Sequence, residues 1–586
     1  MKTFFLSFLG GLAALLLFFV ILPLVLVVSF LPKDGPQTAS GAHVLHIDLR
    51  GGYPDQPISS DFGALFPEMS FVEMLLKLNS AVDDPQIRGV FIRASEVDIG
   101  SSRAEELREA LLRLKGAGKF VMAHSQGFLV SGPSAYRAVS AADEIWMQPG
   151  ASFEVPGMSM ETLFLGDAFK RFNLTAEIEQ FHEFKNAPDV YKQSDFSLPH
   201  KEAMTALASS IWKHSVVDMA TDRKMDPAKM KGLLEGSPYG ADQALTLGLV
   251  DKIGWPEDAA DAARKRGDGD LVDIDNYHPS GSSDGDTVIA IVGGEGNIVN
   301  GSGGAPDLLS LNTAQFASDT VAASLIAIED DPDVDAVVFR VDSGGGSATA
   351  SDQVWRAVQR LQEKGKKVVV SMGSAAASGG YYVAAGADAI VASRSTITGS
   401  IGVFGGKMAI ADGLRLVGVN PASITVGGDY ASFNSAERLS DVQREKLRSM
   451  LGETYDRFTT LVSEGRNLPI ETVRSIARGR VWSGEDALEL GLIDETGDLI
   501  DAIAKAKELA GLKPEDKARI RLDFHRGSPF GLFGEAFTAA QIAGALPAAE
   551  TVASVLGEER TKALLLHLER SQSQGVQLTS PVIIER

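Results

Sequence analysis

The chain repeats itself once at domain scale. Asp83-Asp84-Pro85-Gln86-Ile87-Arg88-Gly89-Val90-Phe91-Ile92-Arg93 returns as Asp330-Asp331-Pro332-Asp333-Val334-Asp335-Ala336-Val337-Val338-Phe339-Arg340. Ala244-Leu245-Thr246-Leu247-Gly248-Leu249-Val250-Asp251 returns as Ala487-Leu488-Glu489-Leu490-Gly491-Leu492-Ile493-Asp494. Both pairs keep one order and a spacing of about 245 residues, far longer than a solenoid repeat, so a whole domain is duplicated. Two copies of one fold must therefore share the chain, and either copy can supply part of one site.

Within each copy, strand-like runs alternate with helical patterns. In the first, residues 44–49, 89–93 and 119–123 read as strands, and 71–78 and 103–114 as helices. In the second, residues 287–292, 336–341 and 367–372 read as strands, and 352–363 as a helix. This alternation predicts an α/β fold. The boundaries run as follows: an anchor and linker over 1–42, a first repeat domain over 43–276, and a polar linker over 277–286. A second repeat domain covers 287–514 and a tail 515–586, with a strand-like run at 518–524 and helical patterns at 538–556 and 558–570.

Residues 4–31 carry no charge, and about 20 apolar helical residues span a bilayer, so an uncleaved transmembrane anchor is expected there. Lys2 before it favours a cytoplasmic amino terminus and an extracytoplasmic body. The net charge of −22 argues against nucleic acid as a partner. Cysteine is absent, which excludes disulfides and thiol catalysis.

Glycine-rich loops follow two strands of the second copy: Ser343-Gly344-Gly345-Gly346-Ser347, and Ser374-Ala375-Ala376-Ala377-Ser378-Gly379-Gly380-Tyr381-Tyr382. Side by side, such loops can aim backbone N–H groups at a developing oxyanion. The first copy has Ala94-Ser95-Glu96-Val97 in place of the first loop and Pro133 opposite Ser378, with Ser131 and Ser134 reading as turn residues. A serine nucleophile needs a base. No histidine lies between His278 and His525, so the base comes from elsewhere in the chain or is a lysine made neutral by desolvation. Lys407, which follows Gly405-Gly406, and His182 stay open as bases, while Lys185, among His182, Glu183 and Lys192, reads on its own as a solvated surface lysine.

Together these loops and Thr398-Gly399-Ser400-Ile401-Gly402-Val403 resemble the signal peptide peptidase family SppA in its long, tandem-domain form. The resemblance implies tandem Clp protease/crotonase-like domains of repeated ββα units behind an N-terminal transmembrane helix. It implies a Ser/Lys dyad with Ser378 as nucleophile, Lys185 as general base and Ser400 orienting the lysine. Gly345 and Gly379 would supply the oxyanion N–H groups. Two departures stand out: Asn186 follows Lys185 where serine is common, and Gly344 replaces a proline.

The implied activity is a membrane-anchored serine endopeptidase that degrades signal-peptide remnants through an acyl-enzyme. It needs no cofactor and no metal. A single-pass inner-membrane homotetramer with its body on the periplasmic side is expected. The alternatives are a crotonase-like acyl-thioester enzyme, which needs no serine, and a non-catalytic membrane scaffold.

Overall fold

Apolar runs such as Val288-Ile289-Ala290-Ile291-Val292 and Val368-Val369-Val370 are buried along their whole length. Strands of this kind suit a parallel sheet covered on both faces. In the computed structural model the first copy builds a six-stranded sheet in the order Asp270–Asp273, His43–Asp48, Ile87–Arg93, Phe120–Ser125, Glu144–Met147, Lys252–Ile253. Every neighbouring pair is parallel. The second copy repeats the order with Arg519–Leu522, Val288–Glu295, Val334–Ser343, Lys367–Ala377, Ala389–Ala392 and Glu495–Thr496. The structure describes residues 41–57, 69–129, 132–279, 287–303, 315–513 and 516–524, and the backbone of 577–579 and 584–585.

Two expected boundaries shift. Arg519–Leu522 pairs in parallel with Val288–Ile291, as Asp270–Asp273 pairs with His43–His46. The second copy therefore extends through a strand that the sequence reading left in the tail. Tyr277, placed in the linker, is buried and donates its hydroxyl to Asp84 at 3.0 Å. The expected anchor over 4–31, most of both linkers and the helical patterns at 538–556 and 558–570 lie outside the described residues. Among the described residues no helix is long and apolar enough to cross a membrane.

The helices carry local signals that the strands lack. Phe71–Asp83 opens with a capping box, Ser70 accepting from the Glu73 N–H while Glu73 accepts from the Ser70 N–H. Ala348–Glu363 starts at Ser347, whose hydroxyl caps Ala350. Its Ala350, Val354, Ala357, Val358 and Leu361 form the buried stripe of an amphipathic helix.

The copies share one core. A single apolar cluster contains Leu45, Val90 and Leu107 of the first copy with Ile289, Val338 and Leu499 of the second. Polar clamps cross the same junction. Arg340, fully buried, pairs with Asp55 at 2.8 Å and Glu106 at 2.7 Å. Arg137 pairs with Glu105 at 2.9 Å and Asp218 at 2.5 Å, and Arg394 of the second copy reaches the same two carboxylates. Against the burial that opposes it, the Arg137 and Arg394 guanidiniums hold Glu105 down at about 2. Glu106 goes the other way: burial outweighs Arg340 and raises it to about 7.

Candidate active site

The strand Lys367–Ala377 delivers Ser378 at its end, where the chain turns sharply into the helix Gly379–Ala384. Ser378 has φ 56° and ψ −113°, a conformation that strains an L-residue. The surroundings enforce it. The Ser378 N–H donates to the Gly399 carbonyl at 2.8 Å, and the Ser378 carbonyl accepts from the Tyr382 N–H at 2.8 Å. A Cβ on Gly380 would stand 2.4 Å from the Ser343 carbonyl oxygen. A Cβ on Gly379 would stand 3.1 Å from the Gly345 Cα. The two glycine loops therefore touch, the side-by-side arrangement in which backbone N–H groups can be aimed at one oxyanion.

Lys185 arrives from the other copy. The strand Thr175–Phe181 leaves the first copy and pairs antiparallel with Val403–Ala409 of the second, from Val403 opposite Phe181 to Ala409 opposite Thr175. Four residues past this strand, Lys185 is fully buried. Its Nζ lies 2.6 Å from Ser378 Oγ, 2.9 Å from the Ser400 carbonyl oxygen and 3.0 Å from Ser400 Oγ. Ser378 and Ser400 are buried as well. Ser400 follows the strand Ile397–Gly399, which pairs with the last residues of Lys367–Ala377. One sheet thus sets the spacing of both serines.

The rival bases lie elsewhere. Lys407 donates to the Ser435 carbonyl at 2.8 Å, and burial lowers its pKa against the pull of Glu177 and Glu437. The His182 ring packs edge-on to Tyr455. Burial lowers His182 too, with Glu183 opposing. Pro133, opposite Ser378 in the duplication, caps a short helix over Ser134–Ser140, and Ser134 Oγ accepts from the Ile99 N–H at 3.0 Å. Ser131 lies outside the described residues.

Gly345 adopts φ 103°, which favours glycine, and its N–H donates to Ser343 Oγ at 3.1 Å. In this conformation one of the two expected oxyanion donors is engaged within its own loop. Ser343 Oγ in turn donates to the Gly296 carbonyl at 2.6 Å.

The sequence reading missed the loop at residues 478–480. The Arg478 carbonyl accepts from the His182 and Phe184 N–H groups, and the Arg480 carbonyl accepts from the Ser400 N–H at 2.7 Å. A Cβ on Gly479 would stand 2.5 Å from the Lys185 backbone nitrogen. This loop therefore brackets both the lysine and the serine beside it. A signal was available: in the register of the Ala244 and Ala487 repeats, Gly236 matches Gly479.

A serine hydroxyl within hydrogen-bond reach of a buried lysine amine, at a strained turn beside two glycine loops, is equipped for nucleophilic attack on an acyl carbon. The sequence profile of Peptidase family S49 matches residues 113–269 and 360–513, a segment in each copy. The chain belongs to peptidase family S49.

Protease 4 of Haemophilus influenzae is 28% identical over 533 residues, 84% of this chain and 84% of that protein. Protease 4 of Salmonella typhi is 29% identical over 527 residues, 85% of this chain and 82% of its own. A chloroplastic serine protease SPPA of Arabidopsis thaliana is 30% identical over 495 residues, 81% of this chain and 70% of its own. Among solved structures, a ClpP1 mutant of Listeria monocytogenes aligns with 36% of this chain and 94% of its own, at 15% identity and a TM-score of 0.24. The S49 protein described here is a serine endopeptidase.

Proposed function

We propose that Ser378 is the nucleophile and Lys185 the general base of a Ser/Lys dyad that cleaves signal-peptide remnants and similar apolar peptides. The observation that carries this reading is the 2.6 Å approach of Lys185 Nζ to Ser378 Oγ across the two copies. A base must be neutral to accept a proton, and complete burial disfavours the ammonium form. Ser400 orients the amine through its hydroxyl and carbonyl oxygens. The Ser378 Oγ proton passes to Lys185 Nζ as Oγ bonds to the peptide carbonyl carbon. The N–H of Gly379 meets the oxyanion, and that of Gly345 joins it on release from Ser343 Oγ. Lys185 then protonates the leaving amine. The resulting ester is hydrolysed by a water that the same lysine deprotonates.

Apolar substrates suit the surroundings. A cavity of about 490 Å³ is lined by Met158, Met160, Phe196, Met204 and Trp212. Met158, Met160 and Phe196 share an apolar cluster with Phe184, the neighbour of Lys185. The folds of the two copies are proposed as Clp protease/crotonase-like, with domains over 43–276 and 287 to about 524. Residues 4–31 are proposed to anchor the enzyme in the inner membrane with its body on the periplasmic side.

The proposed tetramer has a support in the repeat itself. The counterpart of the arm Thr175–Phe181 in the second copy is residues 420–426. There Ile424 is 98% and Val426 88% exposed. Apolar groups so bare suit an arm meant to pair with the first copy of a neighbouring molecule. Such a head-to-tail contact closes into a ring of four where each subunit is turned a quarter-turn from the last, and into an open filament otherwise.

The test is hydrolysis of a fluorogenic apolar peptide by the intact protein and by Ser378→Ala, Lys185→Ala and Lys407→Ala variants. Loss in the first two with Lys407→Ala active is expected. Full activity of Ser378→Ala would overturn the dyad.

A further inference from the structure

The strand that delivers Ser378 is irregular just before it ends. Lys367–Ala377 pairs in step with Val334–Ser343 from Ala336 opposite Lys367 to Val341 opposite Met372. The next pair is Ser343 opposite Ala376. Two steps on one strand therefore face four on the other, and the surplus forms a bulge over residues 373–375. Ser378 follows Ala375 by three residues, so the bulge sets where the strand ends and where the serine stands.

The ladder of the first copy stops short of this point. It ends at Arg93 opposite His124, the equivalent of Arg340 opposite Ser371. Ser95 holds the place of Asp342, and its hydroxyl accepts from the Val97 N–H at 3.2 Å within its own loop. The bulge and a carboxylate at this position occur together, in the copy that carries Ser378.

One side chain spans the gap that the bulge opens. Asp342 Oδ1 accepts from the Ala375 N–H at 3.0 Å, in place of a carbonyl of the neighbouring strand. The fit is close: a Cβ on Gly373 would stand 2.9 Å from Asp342 Cβ and Cγ. The Gly373 carbonyl is held by Thr396 Oγ1 at 2.8 Å and by Ser102 Oγ at 3.2 Å. The carbonyl of Asp342 itself accepts from the Gly296 N–H at 2.9 Å, and the next residue, Ser343, begins the loop that holds Gly345. Asp342 thus joins the oxyanion loop, through its backbone, to the nucleophile strand, through its side chain. Its second oxygen faces Arg103 Nη2 of the first copy at 3.6 Å.

We propose that Asp342 is a positioning residue for the hydrolysis: through the Ala375 N–H it pins the bulge, and so holds Ser378 Oγ against Lys185 Nζ and beside the Gly379 N–H. This rests on Ser378 being the nucleophile. A misplacement of roughly 1 Å at a reacting group can cost about 100-fold in rate. A hydrogen bond three residues before the serine can therefore govern kcat without entering the chemistry.

Three substitutions and two readouts test it. Asp342→Ala, Asp342→Asn and Asp342→Glu are compared with the intact protein on the fluorogenic peptide. They are also compared in their rate of labelling by a fluorophosphonate, a small electrophile that reports on a serine nucleophile without needing a peptide subsite. Both rates are taken per folded molecule, from the amplitude of the thermal melt. Asp342→Ala leaves the Ala375 N–H without its acceptor, and kcat and labelling are expected to fall about tenfold or more, with KM within about twofold. Asp342→Asn loses the charge and keeps an acceptor oxygen, so it is expected to recover most of that loss. Asp342→Glu keeps the charge towards Arg103 but is a methylene too long for a space closed by Gly373, and is expected to be slow. Should Asp342→Ala fail to fold, Asp342→Glu takes its place in the comparison. An Asn variant as slow as the Ala or Glu variant overturns the proposal, as does a loss confined to KM. Full hydrolysis by Ser378→Ala, run alongside, removes the nucleophile reading. An inactive Ser378→Ala beside a fully active Asp342→Ala removes this inference alone.

Discussion

At the scale of single residues, the site depends on how closely backbone approaches backbone. Gly380→Ala puts a Cβ 2.4 Å from the Ser343 carbonyl oxygen, a group fixed in the strand Val334–Ser343 and unable to swing aside as a side chain could. The helix must move away from the glycine loop, and Ser378 moves with it. The expected cost is about 1–3 kcal/mol of stability, with activity falling at least tenfold, read by thermal melts and peptide hydrolysis. Lys407→Ala serves as the control, because its Nζ is held by the Ser435 carbonyl and it should leave kcat/KM within about twofold. Ser378 was legible because its copy is doubled: setting Pro133 opposite it singles out the serine that precedes Gly379-Gly380 at the end of a strand. Lys185 was not legible from its own surroundings, since the charges around it resemble a solvated surface. Only the family resemblance singled it out. Gly479 was passed over because a glycine inside Arg478-Gly479-Arg480 reads as an ordinary turn, and nothing local says that a lysine backbone packs on it.

At the scale of elements, periodicity found each α/β segment that it named and placed the ends less well. The strand expected over 367–372 runs to Ala377, because its last residues pair with Ile397–Gly399. That pairing is a tertiary fact with no mark in the strand itself. Arg519–Leu522 shows the same limit, since a strand of alternating arginines belongs to the sheet only once Val288–Ile291 lies beside it. Buried charges between elements were wholly invisible to pattern reading. Arg340 closes the repeated Asp-Asp-Pro segment, yet its partners Asp55 and Glu106 come from the other copy. Arg340→Met keeps the volume and removes the charge, leaving two carboxylates facing each other in the interior. Breaking such a cluster costs about 3–5 kcal/mol, which denaturant titration at neutral pH would detect as a lower midpoint. Glu106, already raised to about 7, takes up a proton in this variant, so part of the loss should be recovered at pH 5.

At the scale of the whole molecule, duplication gives a reason for neither copy to be complete: the proposed nucleophile Ser378 and the proposed base Lys185 lie in different copies, and the core and its ion pairs run through the junction. Separately expressed halves should therefore be inactive even where soluble. The junction also gives the molecule a pH dependence. Glu295 of the second copy accepts the Gln56 N–H at 3.0 Å and the Asp55 N–H at 3.3 Å from the first. Burial raises it from 4.5 to about 7, helped by Asp55 and Asp342 and opposed by Arg103. Its folded pKa lies above its unfolded value, so between pH 4.5 and about 7 the folded state binds the extra proton. The stability this supplies is full below pH 4.5 and lost as pH rises through about 7. The span corresponds to about 3 kcal/mol at most. Glu295→Gln cannot ionise and keeps an acceptor for one of the two N–H groups. Against the intact protein, the variant should melt at a higher temperature at pH 8 and at an equal or lower one at pH 5. A Tm difference that stays constant from pH 5 to 8 would show that Glu295 holds the same protonation state on both sides of unfolding.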